Sequence, residues 1–436
     1  MISEEILQSL GIPQNVYDFC HAREVKLRPQ FERIEAIAEY NQAKVLAAFQ
    51  KNRVAENHFE TTTGYGYNDL GRDTLEAVFA DVFRTEDALV RPQLICGTHA
   101  LSTALFGILR PGDNLLYGSG QPYDTLQGVI GLREELGALT EFGITYSQAE
   151  LGADGHLDPQ AIVAAIRPET RIVALQRSKG YLTRPTLAVS EIGEVFRAVK
   201  AVRPDIVCMT DNCYGEFTEI IEPTEVGADL CVGSLIKNLG GGLAPIGGYI
   251  VGRRDLIERC AVRLTAPGLG KEQGPTLGVN RSFYQGLFEA PAVVEAAVKT
   301  AVFAAQVFQD LGYEVTPAPD EARHDIVQCI TLRDPKFLEL FCAGIQQASP
   351  VDSFVTPIPW DMPGYGGSQV IMAAGNFISG ATIELSADAP MREPYTAFLQ
   401  GALTWEHGKI GIMKAVSAMQ SAGRSAGDIS AQGSDM

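Results

Sequence analysis

Between about residue 74 and residue 290, short continuous apolar runs alternate with amphipathic helical patterns. No other feature of the chain restricts its fold as much. "LIC" precedes the helical pattern "HALSTALFGIL", and "NLLYG" precedes one beginning near "YDTLQGVIGLREEL". "RIVALQ", "DIVCMT" and "DLCVGS" follow, separated by helices such as "SEIGEVFRAVKAV". Strands apolar on both faces and joined by helices belong to a parallel sheet covered on both sides. The fold class is therefore α/β, a three-layer domain with a mostly parallel sheet.

The flanks follow other patterns. Residues 1–60 read as an N-terminal helical segment, because "FERIEAIAEYNQAKVLAAFQKNRV" repeats apolar positions at three- and four-residue spacing. "HFETTTGYGYNDLGRD" is rich in Gly, Thr, Asn and Asp and reads as a loop opening the large domain, placed at 61–290. A long helical segment then leads to strands near "DIVQCITL", "QVIMAAG" and "ATIELSA", a smaller α+β domain over 291–420. Residues 421–436 are Ser/Gly/Ala-rich with few apolar anchors, which predicts a flexible tail.

Charge and composition exclude several function classes. A formal net charge of −18 argues against general affinity for nucleic acid or for an anionic membrane surface. The eight cysteines form no CxxC pair, and several sit inside apolar runs, so buried reduced thiols are expected. The six histidines show no HxH or HExxH spacing, so no metal is expected. The N-terminus lacks the pattern of a signal peptide, and no uninterrupted apolar run suits a bilayer span, which makes the cytoplasm the expected location.

In an open parallel sheet, ligands gather at the carboxyl ends of the strands. Following each apolar run in turn gives Gly97, Thr98 and His99, then Tyr123, then "RSKGY", then Asp211, then Ser234 and Lys237. Gly97-Thr98 opening a helix after a strand makes an anion cradle, to which Ser234 can add a hydroxyl and Thr98 a cap. Neither GxxxxGK[ST] nor GxGxxG after a strand occurs, so ATP and NAD lack their usual marks. The phosphate cofactor that needs a lysine is pyridoxal 5′-phosphate: Lys237 supplies an amine for its aldehyde, Asp211 a carboxylate for its ring nitrogen, and Tyr123 a cover for the ring. Taken singly, Lys237 also reads as a rim lysine, Asp211 as a turn residue, Tyr123 as a packing aromatic and His99 as a cap. Their joint order is what points to a site.

That order resembles the fold-type I pyridoxal-phosphate enzymes, with their large domain and smaller C-terminal domain. The likeness is closest to the Cys/Met metabolism superfamily, in its methionine gamma-lyase-like, aluminium-resistance branch, which is cystathionine beta-lyase-like. The matching stretches include "GYGYNDLGRDTLE", "CGTHALSTALFG", "GQPYDTL", "QRSKGY", "DNCYGEF", "GSLIKNLGGGLAPIGGYIVG", "TAPGLGKEQG" and "GATIELSADAPMREPY", and they cover most of residues 64–396. The resemblance implies that Lys237 bonds the cofactor and moves protons, Asp211 holds the ring nitrogen and Tyr123 stacks on the ring. It implies further that Gly97, Thr98, His99 and Ser234 line the cofactor site, with Tyr65 or Tyr67, and Arg72, reaching from a neighbouring subunit. Arg392 and Tyr214 are the substrate-side candidates, a planar guanidinium suiting an α-carboxylate. A carbon–sulfur lyase acting on a sulfur amino acid is expected, in a homodimer or homotetramer with shared sites. Another pyridoxal-phosphate reaction (γ-replacement, transamination or racemisation) and a non-catalytic binding protein are the alternatives.

Overall fold

The computed structural model describes residues 2–362 and 369–421. The sequence expectation for the tail therefore falls, from residue 422 on, outside the described residues. Two compact units emerge: one spans Glu39–Pro291, and the other draws on residues up to Ala38 and from Ala292 onward. The N-terminal helices thus do not form a segment of their own ending at 60. Glu4–Ser9 and Gln14–Lys26 lie in the second unit, and the long Arg28–Lys51 helix runs from one unit into the other.

The larger unit holds a seven-stranded sheet. Its strands are β1 (Asp87–Arg91), β2 (Asn114–Tyr117), β3 (Thr145–Gln148), β4 (Thr170–Gln176), β5 (Val207–Asp211), β6 (Leu230–Ser234) and β7 (Gly248–Gly252). They lie in the order β1-β7-β6-β5-β4-β2-β3, and only β7 runs antiparallel to its neighbours. Every residue of β2, β5, β6 and β7 is buried, as continuous apolar runs require. Successive side chains leave a strand on opposite faces, so each run feeds two cores. Leu115, Ile172 and Met209 pack with Leu101, Leu105 and Ile257, whereas Leu116, Val173 and Cys208 pack with Ile192, Val195 and Phe196.

Two local expectations fail for clear reasons. "LIC" is not a strand: β1 ends at Arg91, Leu94 turns back onto it (amide to the Arg91 carbonyl, 3.3 Å), and Ile95 faces outward. "ATIEL" buries Ala381, Ile383 and Leu385, as its apolar alternation suggests, but Glu384 is buried with them and the backbone turns. The Glu384 carboxylate accepts the amides of Phe377 and Ile378 (2.8 and 3.0 Å) and closes that turn.

The smaller unit carries an antiparallel five-stranded sheet of β8 (Glu314–Thr316), β9 (Gln328–Thr331), β10 (Val370–Ala373), β11 (Ser386–Pro390) and β12 (Thr396–Gln400). The order is β10-β11-β12-β9-β8. The Asn280–Asp310 helix is long and apolar enough on average to cross a membrane, but 83% of its most apolar window is buried, as in a core helix.

Under the carboxyl edge of the large sheet lies a buried polar cluster built on "DNCYGEF". Arg177 donates to Asn212 Oδ1 (2.9 Å), the Gly215 carbonyl (2.8 Å) and Glu219 Oε1 (2.6 Å). Asn212 in turn donates to Glu222 Oε2 at 2.9 Å. Glu216 is fully buried; its Oε1 accepts the Tyr249 hydroxyl at 2.7 Å, and Oε2 has no partner among the described residues. Burial pushes the Glu216 carboxyl from its ordinary 4.5 up to about 8, against the pull of the Tyr249 hydroxyl.

Folded Glu216 therefore keeps a proton that the unfolded chain has already lost, and stability falls as pH rises from the ordinary carboxylate range to about 8. Its full effect has an upper bound on the order of 5 kcal/mol, from 1.36 kcal/mol per pH unit. Urea unfolding of Glu216→Gln should show a flatter decline of stability between about pH 5 and 8.5 than the parent chain. Equal slopes would mean that the carboxyl is already ionised at neutral pH.

Candidate active site

β6 delivers Ser234 to the sheet edge, and the chain then folds back so tightly that Lys237 stands at the start of a 3-10 turn, Asn238–Gly240. A side chain at Gly240 would place its Cβ 1.7 Å from the Leu235 carbonyl oxygen, so only glycine lets this turn close. The three glycines after Lys237 are thus the hinge that presents its ammonium.

Lys237 Nζ lies 4.0 Å from the centroid of the Tyr214 ring and also bonds the Tyr214 hydroxyl. Burial would push the ammonium down; Cys213, Tyr214 and Asp211 act against it, and the net displacement is upward from 10.5. Asp211 closes β5 and is buried; its Oδ1 accepts the Cys213 amide at 3.1 Å, and the Cys213 thiol bonds the same carboxylate. Burial raises the Asp211 carboxyl above 3.8, while Lys237 and the Cys213 donors oppose that rise. A cationic ring nitrogen placed against it would favour the charged form further.

The anion cradle forms where the Gly97–Ile108 helix begins beside the end of β6. A Cβ on Gly97 would stand 3.2 Å from Ser234 Cβ, so glycine keeps the approach open. Ser234 Oγ is buried and lacks a hydrogen-bond partner among the described residues. A buried hydroxyl without a partner, next to a helix N-terminus, suits a phosphate. Thr98 does not cap this helix: Cys96 does, through its sulfur on the His99 amide at 3.4 Å. Thr98 Oγ1 instead shares a 2.8 Å bond with Thr125 Oγ1. His99 turns its Nδ1 to the Ile95 amide (3.3 Å), and burial followed by Arg263 lowers its pKa, so it braces the connection as a neutral ring.

Tyr123 stands at the N-cap position of the Asp124–Ile130 helix, which stops at Gly131 and is shorter than its pattern suggested. Its amide donates to Gln176 Oε1 at 2.8 Å, and its ring lies against Gly180, where a Cβ would meet Cδ2 at 3.2 Å. "QRSKGY" therefore seats the tyrosine.

Tyr65 and Tyr67 are 70% and 55% exposed, with ring centroids 5.6 Å apart. Their loop is nonetheless clamped. The Tyr65 carbonyl accepts the Gly274 amide (3.0 Å), the Tyr67 hydroxyl meets Gln273 Nε2 (2.6 Å), and Arg91 holds the Gln273 and Lys271 carbonyls (2.7 and 3.0 Å). Arg72 is the other clamp: its buried guanidinium donates to the Gly66 and Gly274 carbonyls (2.6 and 3.2 Å) and to Asp73. It fixes the tyrosine loop, and its donors do not point outward as a phosphate ligand's would. Arg392 belongs to the other unit, exposed in the connection between β11 and β12, with its amide on the Pro390 carbonyl at 2.8 Å.

The large unit thus brings together Gly97, Thr98, Tyr123, Asp211, Tyr214, Ser234 and Lys237 along the carboxyl edge of one sheet. Sequence reasoning missed Cys213, beside a residue it named, and Gln176, inside a stretch it quoted; their roles depend on backbone turns that no spacing announces.

The profile of the methionine gamma-lyase family matches residues 16–420. The uncharacterized protein YnbB of Bacillus subtilis (strain 168) is 51% identical over 390 residues, 89% of this chain and 92% of that one. A carbon-sulfur lyase involved in aluminum resistance from Clostridium novyi NT superposes with a TM-score of 0.92 at 49% identity, over 96% of this chain and 99% of that chain. The pyridoxal-5′-phosphate dependent protein YhfS from Escherichia coli shares the fold alone, with a TM-score of 0.59 at 17% identity over 87% of this chain and 96% of that chain. The family match over residues 16–420, on a chain whose sheet edge carries glycine-threonine, buried carboxylate and lysine in that order, makes this protein a member of the methionine gamma-lyase family on the fold-type I pyridoxal-phosphate scaffold.

Proposed function

We propose that this protein is a carbon–sulfur lyase that releases a thiol, ammonia and a 2-oxo acid from a sulfur-containing amino acid, with Lys237 bonded to the cofactor between turnovers. Family membership makes pyridoxal 5′-phosphate the cofactor and a pyridoxal-phosphate-dependent carbon–sulfur lyase the broad class. The observation that carries the finer reading is the placement of Lys237 beside the buried Asp211, on the same edge as the unpartnered Ser234 hydroxyl.

When bound, the cofactor supplies an aldehyde that takes up amines and a ring that withdraws electrons from the substrate Cα. The chain's own groups do the rest. Ser234 Oγ and the helix N-terminus at Gly97-Thr98 bind the phosphate. Asp211 holds a proton on the ring nitrogen, its own charge maintained by the Cys213 amide and thiol. The Tyr123 ring covers the cofactor, seated by Gln176 and Gly180. Lys237 Nζ would accept the Cα proton, and the Tyr123 hydroxyl or Lys237 would return a proton to the departing sulfur.

A homodimer, or a tetramer of dimers, completes this reading. Tyr65 and Tyr67 stand exposed on a loop clamped by Arg72 and Arg91, an arrangement suited to residues that serve a neighbouring copy's site.

Borohydride reduction of the yellow holoprotein should place the reduced adduct on Lys237 by peptide mapping, and Lys237→Ala should lose at least about a thousandfold in turnover. A Lys237→Ala protein that still released thiol and ammonia from sulfur amino acids would sink the proposal; release of neither by the parent would favour replacement, transamination or racemisation. Ser234→Ala should weaken cofactor binding roughly ten- to hundredfold, the worth of a hydrogen bond to a charged group. An unchanged affinity in equilibrium dialysis would remove Ser234 from the phosphate site. Mixing Lys237→Ala protein with a Tyr65→Phe/Tyr67→Phe protein under subunit exchange should restore part of the activity. No recovery would count against shared sites.

A further inference from the structure

We propose that Tyr214 is the resting partner of Lys237, its ring face and hydroxyl holding the lysine ammonium whenever Nζ is not bonded to the cofactor. The inference rests on the reading of Lys237 given above and reassigns Tyr214 from the substrate to the lysine.

Three observations carry it. Nζ stands 4.0 Å over the Tyr214 ring centroid and bonds its hydroxyl, and no ion pair to Lys237 occurs among the described residues. Tyr214 adopts φ +73°, a left-handed backbone that bulky residues avoid, although Gly215 is the next residue. A chain that needed only a turn here could place glycine at 214; the strained tyrosine is what puts an aromatic face beneath the lysine. The turn is also locked from below, since Arg177 donates to the Gly215 carbonyl at 2.8 Å and its guanidinium carbon would lie 2.7 Å from any Cβ at Gly215.

The ionisable groups that face this ammonium are Asp211, Cys213, Tyr214 and Glu216. Asp211 is committed to the cofactor's ring nitrogen, the Cys213 thiol is raised well above its ordinary value, and the Glu216 carboxyl keeps its proton to about 8. Tyr214 remains to stabilise a cation that has just taken the substrate's Cα proton. In that transfer the proton moves to Nζ and the C–H bonding pair stays on the substrate carbon. Before Nζ can bond an aldehyde carbon, with loss of water, it must release a proton, and Tyr214 sets how readily that occurs.

The test strips cofactor from the full chain and follows recapture of pyridoxal 5′-phosphate by visible absorbance as a function of pH. In Tyr214→Phe the midpoint should move down by about half to one pH unit, with capture several-fold faster at a fixed pH below it. Tyr214→Leu, which loses ring and hydroxyl, should move it by about one unit or more, close to tenfold. In both, kcat should fall while KM for the amino acid holds. An unchanged midpoint in Tyr214→Phe overturns the proposal, whether or not the leucine variant folds. A parent chain that captures no cofactor overturns the function reading itself, a distinct result.

Discussion

The structure of this site follows from one constraint: an ammonium group must stay charged, and movable, at the dry end of a buried sheet. A cation removed from water costs several kcal/mol unless neighbouring charges and dipoles replace its hydration. The Asp211 carboxylate at the end of β5 and the Tyr214 face supply that replacement for Lys237 at the end of β6. β5 and β6 are paired in parallel, with Asp211 opposite Val232, so their functional ends come side by side without any loop having to reach across. The parallel sheet is therefore the positioning device, and the turns beyond it only aim the side chains.

Those turns are where the sequence departs from ordinary packing rules. Lys237 is followed by a hinge that tolerates no Cβ at Gly240, and "DNCYGEF" carries two left-handed residues, Tyr214 and Phe217. Such backbone would open into water unless held. Arg177, Asn212, Glu222 and Asn238 hold it, through bonds to Gly215, Phe217 and the Glu216 carbonyl. A buried polar network of this kind adds little net stability, but it leaves the turn a single conformation.

This division explains what could be read from residues alone. Most strands were legible because burial on both faces demands continuous apolar runs, and Tyr123, Asp211, Ser234 and Lys237 each come after a run that forms a strand, whereas the run before Gly97 is a turn beyond β1. Connections were not. Cys96 rather than Thr98 caps the helix because its backbone, not its side-chain type, is at the capping position. Arg72 looked like an anion ligand, yet its guanidinium faces inward because the Gly66 and Gly274 carbonyls of two facing loops have to be bonded by something. "ATIEL" alternates like a strand, and only the Glu384 carboxylate, invisible to periodicity, turns it. Single side-chain bonds, local at Cys96 and Glu384 and long-range at Arg72, decided each case.

The charge balance around Lys237 depends on one further group. Glu216 lies next to the site, and if it were ionised it would be a second buried carboxylate competing with Asp211 for the same cation. Burial keeps it protonated up to about pH 8 against the pull of the Tyr249 hydroxyl, so at neutral pH it does not compete with Asp211 for Lys237. Tyr249 reaches Glu216 only because Gly233, paired with it across β6 and β7, has no side chain to block the ring: a Cβ there would lie 2.5 Å from it. A glycine one residue before Ser234 thus admits the hydroxyl that draws this acid's pKa down from where burial alone would hold it. With that acid neutral, the proposed pairing of Asp211 with a cationic ring nitrogen leaves Lys237 to Tyr214.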